Sequence, residues 1–176
     1  AIIAARDMAE HPELPRVEAP GAPYYATYDE GPSGPGEVRL DLLHTGLSAG
    51  TELTFLKGTN PYLHSRWDEG RGVFEPGEPS ARYPVPFMGY MEVAEVIASD
   101  APGFAPGDRV ATTFGHKTGH TADPARDLLV PLPRDLDPLL GIFVAQMGPI
   151  AANGLLHADA EAGVPPGAPL GAGIAG

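Results

Sequence analysis

The densest run of titratable side chains is Gly115-His116-Lys117-Thr118-Gly119-His120, two imidazoles and an ammonium within six residues. His116 and His120 are four apart, a spacing that on a helix would bring both to one face. Joined by Glu92 or Glu52, they would form the donor set of a metal-dependent hydrolase. The flanking glycines and the apolar segment before them argue for a loop after a strand, where the spacing itself carries little. In a loop, His116 or Lys117 could serve substrate binding or proton transfer, or could simply be exposed loop residues. Ser48, Thr51 and Glu52 make a second group, in Gly46-Leu47-Ser48-Ala49-Gly50-Thr51-Glu52. Their hydroxyls could act on a substrate or cap a short helix beginning there.

These groups need a scaffold, and the pattern around them is mainly β. Val38, Leu40 and Leu42 alternate with Arg39 and Asp41, the period of a half-buried strand. Further strands are expected at Glu92 to Ser99, Arg109 to Thr113 and Leu128 to Leu132, with others at Ile2-Ile3 and Arg16-Val17-Glu18. Thr51 to Lys57 reads as a short helix between glycines. Pro138 to Ala162 reads as a longer apolar helical stretch that Gly148-Pro149 should split or kink, because proline lacks the amide donor and crowds the preceding turn. Gly58 to Pro86 has little periodicity and reads as a long loop carrying Tyr62, His64, Trp67 and Phe74. Short strands between Pro/Gly turns point to a compact barrel or sandwich.

The bulk numbers narrow the partners. A chain of 176 residues suits one domain with one core. Eleven basic residues against 23 acidic ones give a net charge of −12, which repels nucleic acid and anionic lipid. No apolar run approaches a membrane span of about 20 residues. There is no cysteine, so disulfides and thiolate zinc sites are excluded and a cytoplasmic location is expected.

Four motifs, in order, resemble the N-terminal GroES-like domain of the medium-chain dehydrogenase/reductase superfamily. Pro102-Gly103-Phe104-Ala105-Pro106-Gly107-Asp108-Arg109-Val110 is similar to its "GFKPGDRV" turn into a strand. Pro86-Phe87-Met88-Gly89-Tyr90-Met91-Glu92-Val93 falls where zinc-dependent members carry Gly-His-Glu. Leu128-Leu129-Val130-Pro131-Leu132-Pro133 is similar to "LVPLPDGL". Glu37-Val38 through Gly46-Leu47-Ser48-Ala49-Gly50-Thr51-Glu52 resembles "GEV…SGICGTDL" with one extra residue. The likeness runs from about Gly36 to Ala162.

The resemblance implies a partly open GroES-like β-barrel with a long loop and C-terminal helices over 1–162, followed by a linker over 163–176. It also implies NAD(P)-dependent oxidation or reduction of an alcohol or carbonyl in a cleft whose substrate wall is this domain. The family's zinc ligands would fall on Ser48 or Ala49, on Tyr90 beside Met91, and near Met147. None is a good zinc donor, so a zinc-free branch is expected and no metal at that place. Tyr90, Ser48, Thr51 and His116 are then the catalytic candidates, with Glu52, Met91, Lys117, Gln146 and Asn153 as substrate-binding candidates. Tyr90 could equally fill the space a metal would occupy, and helix amides such as Gln146 and Asn153 often bond backbone or water.

The tail Gly171-Ala172-Gly173-Ile174-Ala175-Gly176 spells GxGxxG, but no strand precedes it and no helix follows, so it reads as linker. The dinucleotide site is expected beyond Gly176, on a Rossmann domain absent from this chain. The chain alone is therefore expected to be inactive and not to bind NAD(P) tightly. Its expected partners are a small-molecule substrate and that missing domain, with a homodimer as the candidate assembly at full length. The alternative reading is a non-catalytic GroES-like binding or oligomerisation module.

Overall fold

In the computed structural model, which describes residues 2–4, 13–86 and 88–162, the alternating segment at Val38 becomes the strand on which the fold is hung. The strands are β1 (Ile2–Ala4), β2 (Glu13–Ala19), β3 (Ala22–Thr27), β4 (Val38–Gly46), β5 (Arg66–Asp68), β6 (Val73–Glu75), β7 (Glu92–Ser99), β8 (Arg109–Thr112), β9 (Gly119–Ala122) and β10 (Val130–Pro131). The helices are α1 (Glu52–Lys57), α2 (Pro138–Gly141) and α3 (Met147–Ala162). The main sheet runs β1-β4-β7-β8-β10, and β9 pairs with the first half of β4. It does not close on itself, which makes a partly open β domain with C-terminal helices.

β4 and β7 supply most of the core. Val38, Leu40 and Leu42 bury one face of β4 against Ala94 and Val96 of β7, with Val110, Phe114 and Ala122 completing the cluster. Each buried Val or Leu side chain contributes roughly 1.5–3 kcal/mol. The alternation does not continue to the end of β4. The pairing with β7 shifts register between Leu42 and His44, so Thr45 rather than His44 stands opposite Glu92. Such an irregularity re-aims the side chains that follow it. Here it places a hydroxyl, 2 % exposed, at the polar end of an apolar strand face.

Three expectations need correction. The stretch from Gly58 to Pro86 is not one irregular loop: it holds a 3-10 turn (Pro61–Leu63) and the β5–β6 hairpin. Tyr62, Trp67 and Phe74 pack there with ring centroids 4.8–5.9 Å apart, a small aromatic core on strands too short to show periodicity. The strand expected over Leu128 to Leu132 shrinks to β10. The C-terminal helical stretch breaks before Met147, and Gly148-Pro149 lies in the first turn of α3 rather than interrupting it. Proline is tolerated in a first turn because its amide would have no helical acceptor. A Cβ on Gly148 would lie 2.7 Å from the Phe143 carbonyl oxygen, so glycine permits the tight entry into this helix. The linker and glycine-rich tail expected over 163–176 lie outside the described residues. Among the described residues, no helix is long and apolar enough to cross a membrane.

Candidate functional site

The loop between β4 and α1 folds on itself through two residues. Ser48 Oγ accepts the Thr51 amide at 3.3 Å, and Glu52 Oε2 accepts the Ser48 amide at 2.6 Å. This reciprocity resembles a capping box stretched by one residue, and it fixes Ser48 relative to the start of α1. Glu52 is nonetheless 4 % exposed, turned inward rather than to solvent.

Its other oxygen explains the burial. Glu52 Oε1 lies 2.6 Å from His116 Nε2, in the loop after β8. His116 Nδ1 lies 2.5 Å from Thr45 Oγ1, and that hydroxyl lies 3.1 Å from Glu92 Oε1 at the start of β7. Glu92 shares the core-facing side of β7 with Ala94 and Val96, and its Oε2 is buried without a hydrogen-bond partner. Burial pushes the Glu92 carboxyl up to about 7, against the amides, the Thr45 hydroxyl and the His116 charge that favour its ionised form. The chain Glu52–His116–Thr45–Glu92 thus links α1, the loop after β8, β4 and β7 beneath the surface. Gly89 makes room for it. At φ +99°, a Cβ there would lie 2.6 Å from the His116 nitrogen and 2.8 Å from Glu92 Oε1.

Beside this buried chain opens a groove of about 480 Å³ lined by Ser48, Tyr90, Met91, Phe143, Met147, Gly148 and Ala151. Its walls are apolar apart from the Ser48 and Tyr90 hydroxyl groups. The three positions at which a zinc ligand would be expected therefore do converge, since Ser48, Tyr90 and Met147 all face one groove. They offer a hydroxyl, a phenol and a thioether, and this donor set does not suit zinc. Among the described residues, no three His, Cys, Asp or Glu side chains are arranged to hold a metal ion.

The other sequence candidates scatter. Met91 joins Ser48 and Tyr90 at the groove, whereas His116 and Glu52 lie buried in the chain of contacts beside it. Thr51, Gln146 and Asn153 are exposed and outside the groove lining. His116 and His120 do not share a face, because Gly119 to Ala122 is strand rather than loop and β9 carries His120 along β4. His120 Nδ1 lies 2.9 Å from Glu30, and Lys117 Nζ lies 3.3 Å from His120 and 5.4 Å above the Tyr28 ring. Burial alone would raise the Glu30 carboxyl, but His120, the Thr121 amide and Lys117 outweigh it and hold Glu30 below its ordinary value. Burial pushes the Tyr28 phenol, which donates to the Gly119 carbonyl, up to about 12. Lys117 and His120 line a separate pocket with Thr112, Thr113, Phe114, Asp127 and Leu128.

Thr45 and Phe143 went unmarked by sequence reasoning. A threonine closing an apolar alternation was the one available signal for Thr45, and Phe143 gave none beyond apolarity.

No protein-family model matches the chain, and no curated protein matches it in sequence. Its fold does match solved structures. The CurK enoyl reductase superposes with a TM-score of 0.60 at 15 % identity over 83 % of this chain and 42 % of that one. The S. aureus TarJ structure in complex with NADPH gives 0.59 at 13 % identity, over 86 % and 43 %. An Escherichia coli oxidoreductase/dehydrogenase of unknown specificity, involved in membrane biogenesis, gives 0.57 at 16 % identity, over 89 % and 48 %. The chain spans less than half the length of each of these structures, and what it shares with them is a fold.

Proposed function

We infer that this chain is the substrate-side domain of an NAD(P)-dependent oxidoreductase that acts on the carbonyl or alcohol group of an apolar small molecule, without catalytic zinc. The observation that carries the reading is the groove, where two hydroxyl groups sit on an otherwise apolar wall. Met91, Phe143, Met147 and Ala151 would hold the carbon skeleton and exclude water, which strengthens any hydrogen bond made inside. Ser48 Oγ already accepts from the Thr51 amide, so its own hydrogen is available to the groove. With the Tyr90 phenol, it would orient the substrate oxygen and donate to it as negative charge develops. Tyr90 is the candidate proton donor of the pair. The nicotinamide cofactor would supply the hydride from a nucleotide-binding domain outside this chain.

A second surface supports that division of labour. Leu140, Phe143, Ile150, Leu155 and Leu156 are exposed along α2, the turn after it and α3. A run of large apolar side chains beside a candidate site is the kind of surface that another domain covers. The likeness in fold to oxidoreductases, one of them with NADPH, supports the class of chemistry.

Fluorescence titration tests the arrangement directly. NADPH added to this chain alone should show no micromolar binding. When the chain is paired with a nucleotide-binding domain, NADPH should be oxidised in step with reduction of an apolar ketone or enone. Micromolar binding by the chain alone, or NADPH binding by the pair with no turnover of any carbonyl tried, would overturn the reading.

A further inference from the structure

The four buried side chains beside the groove can share their hydrogens in two ways. Glu52 Oε2 accepts the Ser48 amide, and with Glu52 as a carboxylate its Oε1 takes a hydrogen from His116 Nε2. Thr45 has one hydroxyl hydrogen and two neighbours within reach, Nδ1 at 2.5 Å and Glu92 Oε1 at 3.1 Å. If the hydroxyl donates to Glu92, Nδ1 must carry a hydrogen and donate to Oγ1. The ring is then an imidazolium between two carboxylates. If the hydroxyl donates to Nδ1, the ring is neutral and Glu92 Oε1 carries the hydrogen that Oγ1 accepts. Both arrangements contain the same number of protons, and every contact is a hydrogen bond in both.

We propose that His116 and Glu92 share a single proton through the Thr45 hydroxyl, and that this makes His116 the positioning residue for the Ser48 side of the groove. Moving the proton from Nδ1 to Glu92 takes two short hops: Oγ1 gains the Nδ1 hydrogen as its own passes to Glu92 Oε1, and the new O–H points back at Nδ1. Losing it altogether leaves Thr45 able to satisfy one neighbour of two and strands two carboxylates in one buried cluster, a costly state. Glu52 is held on one side by His116 and holds Ser48 on the other. A charged ring grips Glu52 by a charge-assisted bond and a neutral ring by a weaker one, so the proton's position is transmitted to the Ser48 amide. The titratable group facing Glu92 is His116 from the loop after β8, and Glu52 of α1 lies on the far side of that ring. The strand neighbours of Glu92, Thr45 on β4 and Thr112 on β8, do not titrate in this range. The elevated pKa of Glu92 agrees with a carboxyl that keeps a proton near neutrality.

The positioning role rests on the groove being the substrate wall, whereas the proton sharing does not, and the test reads the two apart. In the isotopically labelled chain, nitrogen NMR follows the His116 ring and the Ser48 amide from about pH 5 to about pH 9. Nε2 should stay protonated throughout, while Nδ1 and the Ser48 amide move together with one midpoint. Thr45→Ser, which keeps the hydroxyl, should preserve that coupling, and Thr45→Val should abolish the Ser48 response. Glu92→Gln, which can offer Thr45 either its oxygen or its NH2 but holds no titratable proton, leaves His116 no partner to share with, so the Nδ1 midpoint should move away from the wild-type one; it keeps the test open should Thr45→Val not fold. A Ser48 response unchanged in Thr45→Val, an Nδ1 midpoint unchanged in Glu92→Gln, or a wild-type chain in which neither moves would overturn the proposal. If the coupling holds but Thr45→Ser and Thr45→Val leave KM and kcat of the paired enzyme equal, proton sharing stands and the positioning role falls.

Discussion

His116 and His120 leave the same short stretch of chain and arrive in two different electrostatic settings. His116 goes inward to a cluster with Glu52, Thr45 and Glu92 in which no named residue is more than 5 % exposed. His120 goes along β9 to Glu30, Lys117 and Tyr28 at a half-covered edge. Both hold a carboxylate against an imidazole at less than 3 Å. Their consequences differ because water screens the second and not the first. In the buried cluster, removal of one member strands a charge; in the edge cluster, solvent takes over the missing partner.

The largest effect should follow from breaking the buried set. His116→Ala leaves Glu52 and Glu92 without their shared partner and should cost about 3–5 kcal/mol of stability, read by denaturant unfolding. A loss below about 1 kcal/mol would place the cluster in contact with water. Gly89→Ala should come next, at about 2–4 kcal/mol. It combines a left-handed φ with a Cβ pressed onto the His116 backbone and Glu92, and it should disturb the His116 ring resonances as well as the melting temperature.

The pH dependence distinguishes the two regions further. Glu92 binds its proton more tightly when folded, at about 7, than at its ordinary value of 4.5, so folding takes up a proton between those values. Its contribution to stability is therefore complete below about pH 4.5 and is lost as pH rises through about 7, a change on the order of 3 kcal/mol. Glu30 is shifted the other way. Its contribution is present above its unfolded pKa and lost as pH falls through the lower folded one. Melting curves of Glu92→Gln should accordingly be flatter than wild type between pH 4.5 and 7, and those of Glu30→Gln should be flatter only at more acidic pH. The smallest effect should be Lys117→Ala, within about 1 kcal/mol, since its 3.9 Å approach to Glu30 is partly solvated.

Much of this fold was legible because it rests on alternation. β4 shows its period in sequence, β7 and β8 were read as short apolar runs bounded by turns, and the glycines around α1 mark its ends. The β5–β6 hairpin did not show, since three-residue strands are too short for any period and are held by aromatic packing across distant positions. Gly148-Pro149 was read as a break within a helix, although the same pair is compatible with a helix start; only the close approach to Phe143 decides between them. The site divides in the same way. Ser48, Tyr90 and Met91 were visible through the resemblance in motif, but the partnership of Thr45 with Glu92 depends on a register shift that no local pattern announces. The spacing of the two histidines was rightly given little weight, but the stretch was read as loop throughout, whereas a strand begins between them at Gly119.

If the groove is the substrate wall, a carbonyl compound must bind there. Two of the four methionines, Met91 and Met147, line the groove, so their methyl groups report on it without any substitution. Methyl NMR of the methionine-labelled chain during titration with an apolar ketone or enone should show saturable shifts at Met91 and Met147. Backbone resonances at Lys117 and His120 should stay fixed. Shifts confined to the Lys117–His120 pocket, with the two groove methyls unmoved, would contradict it.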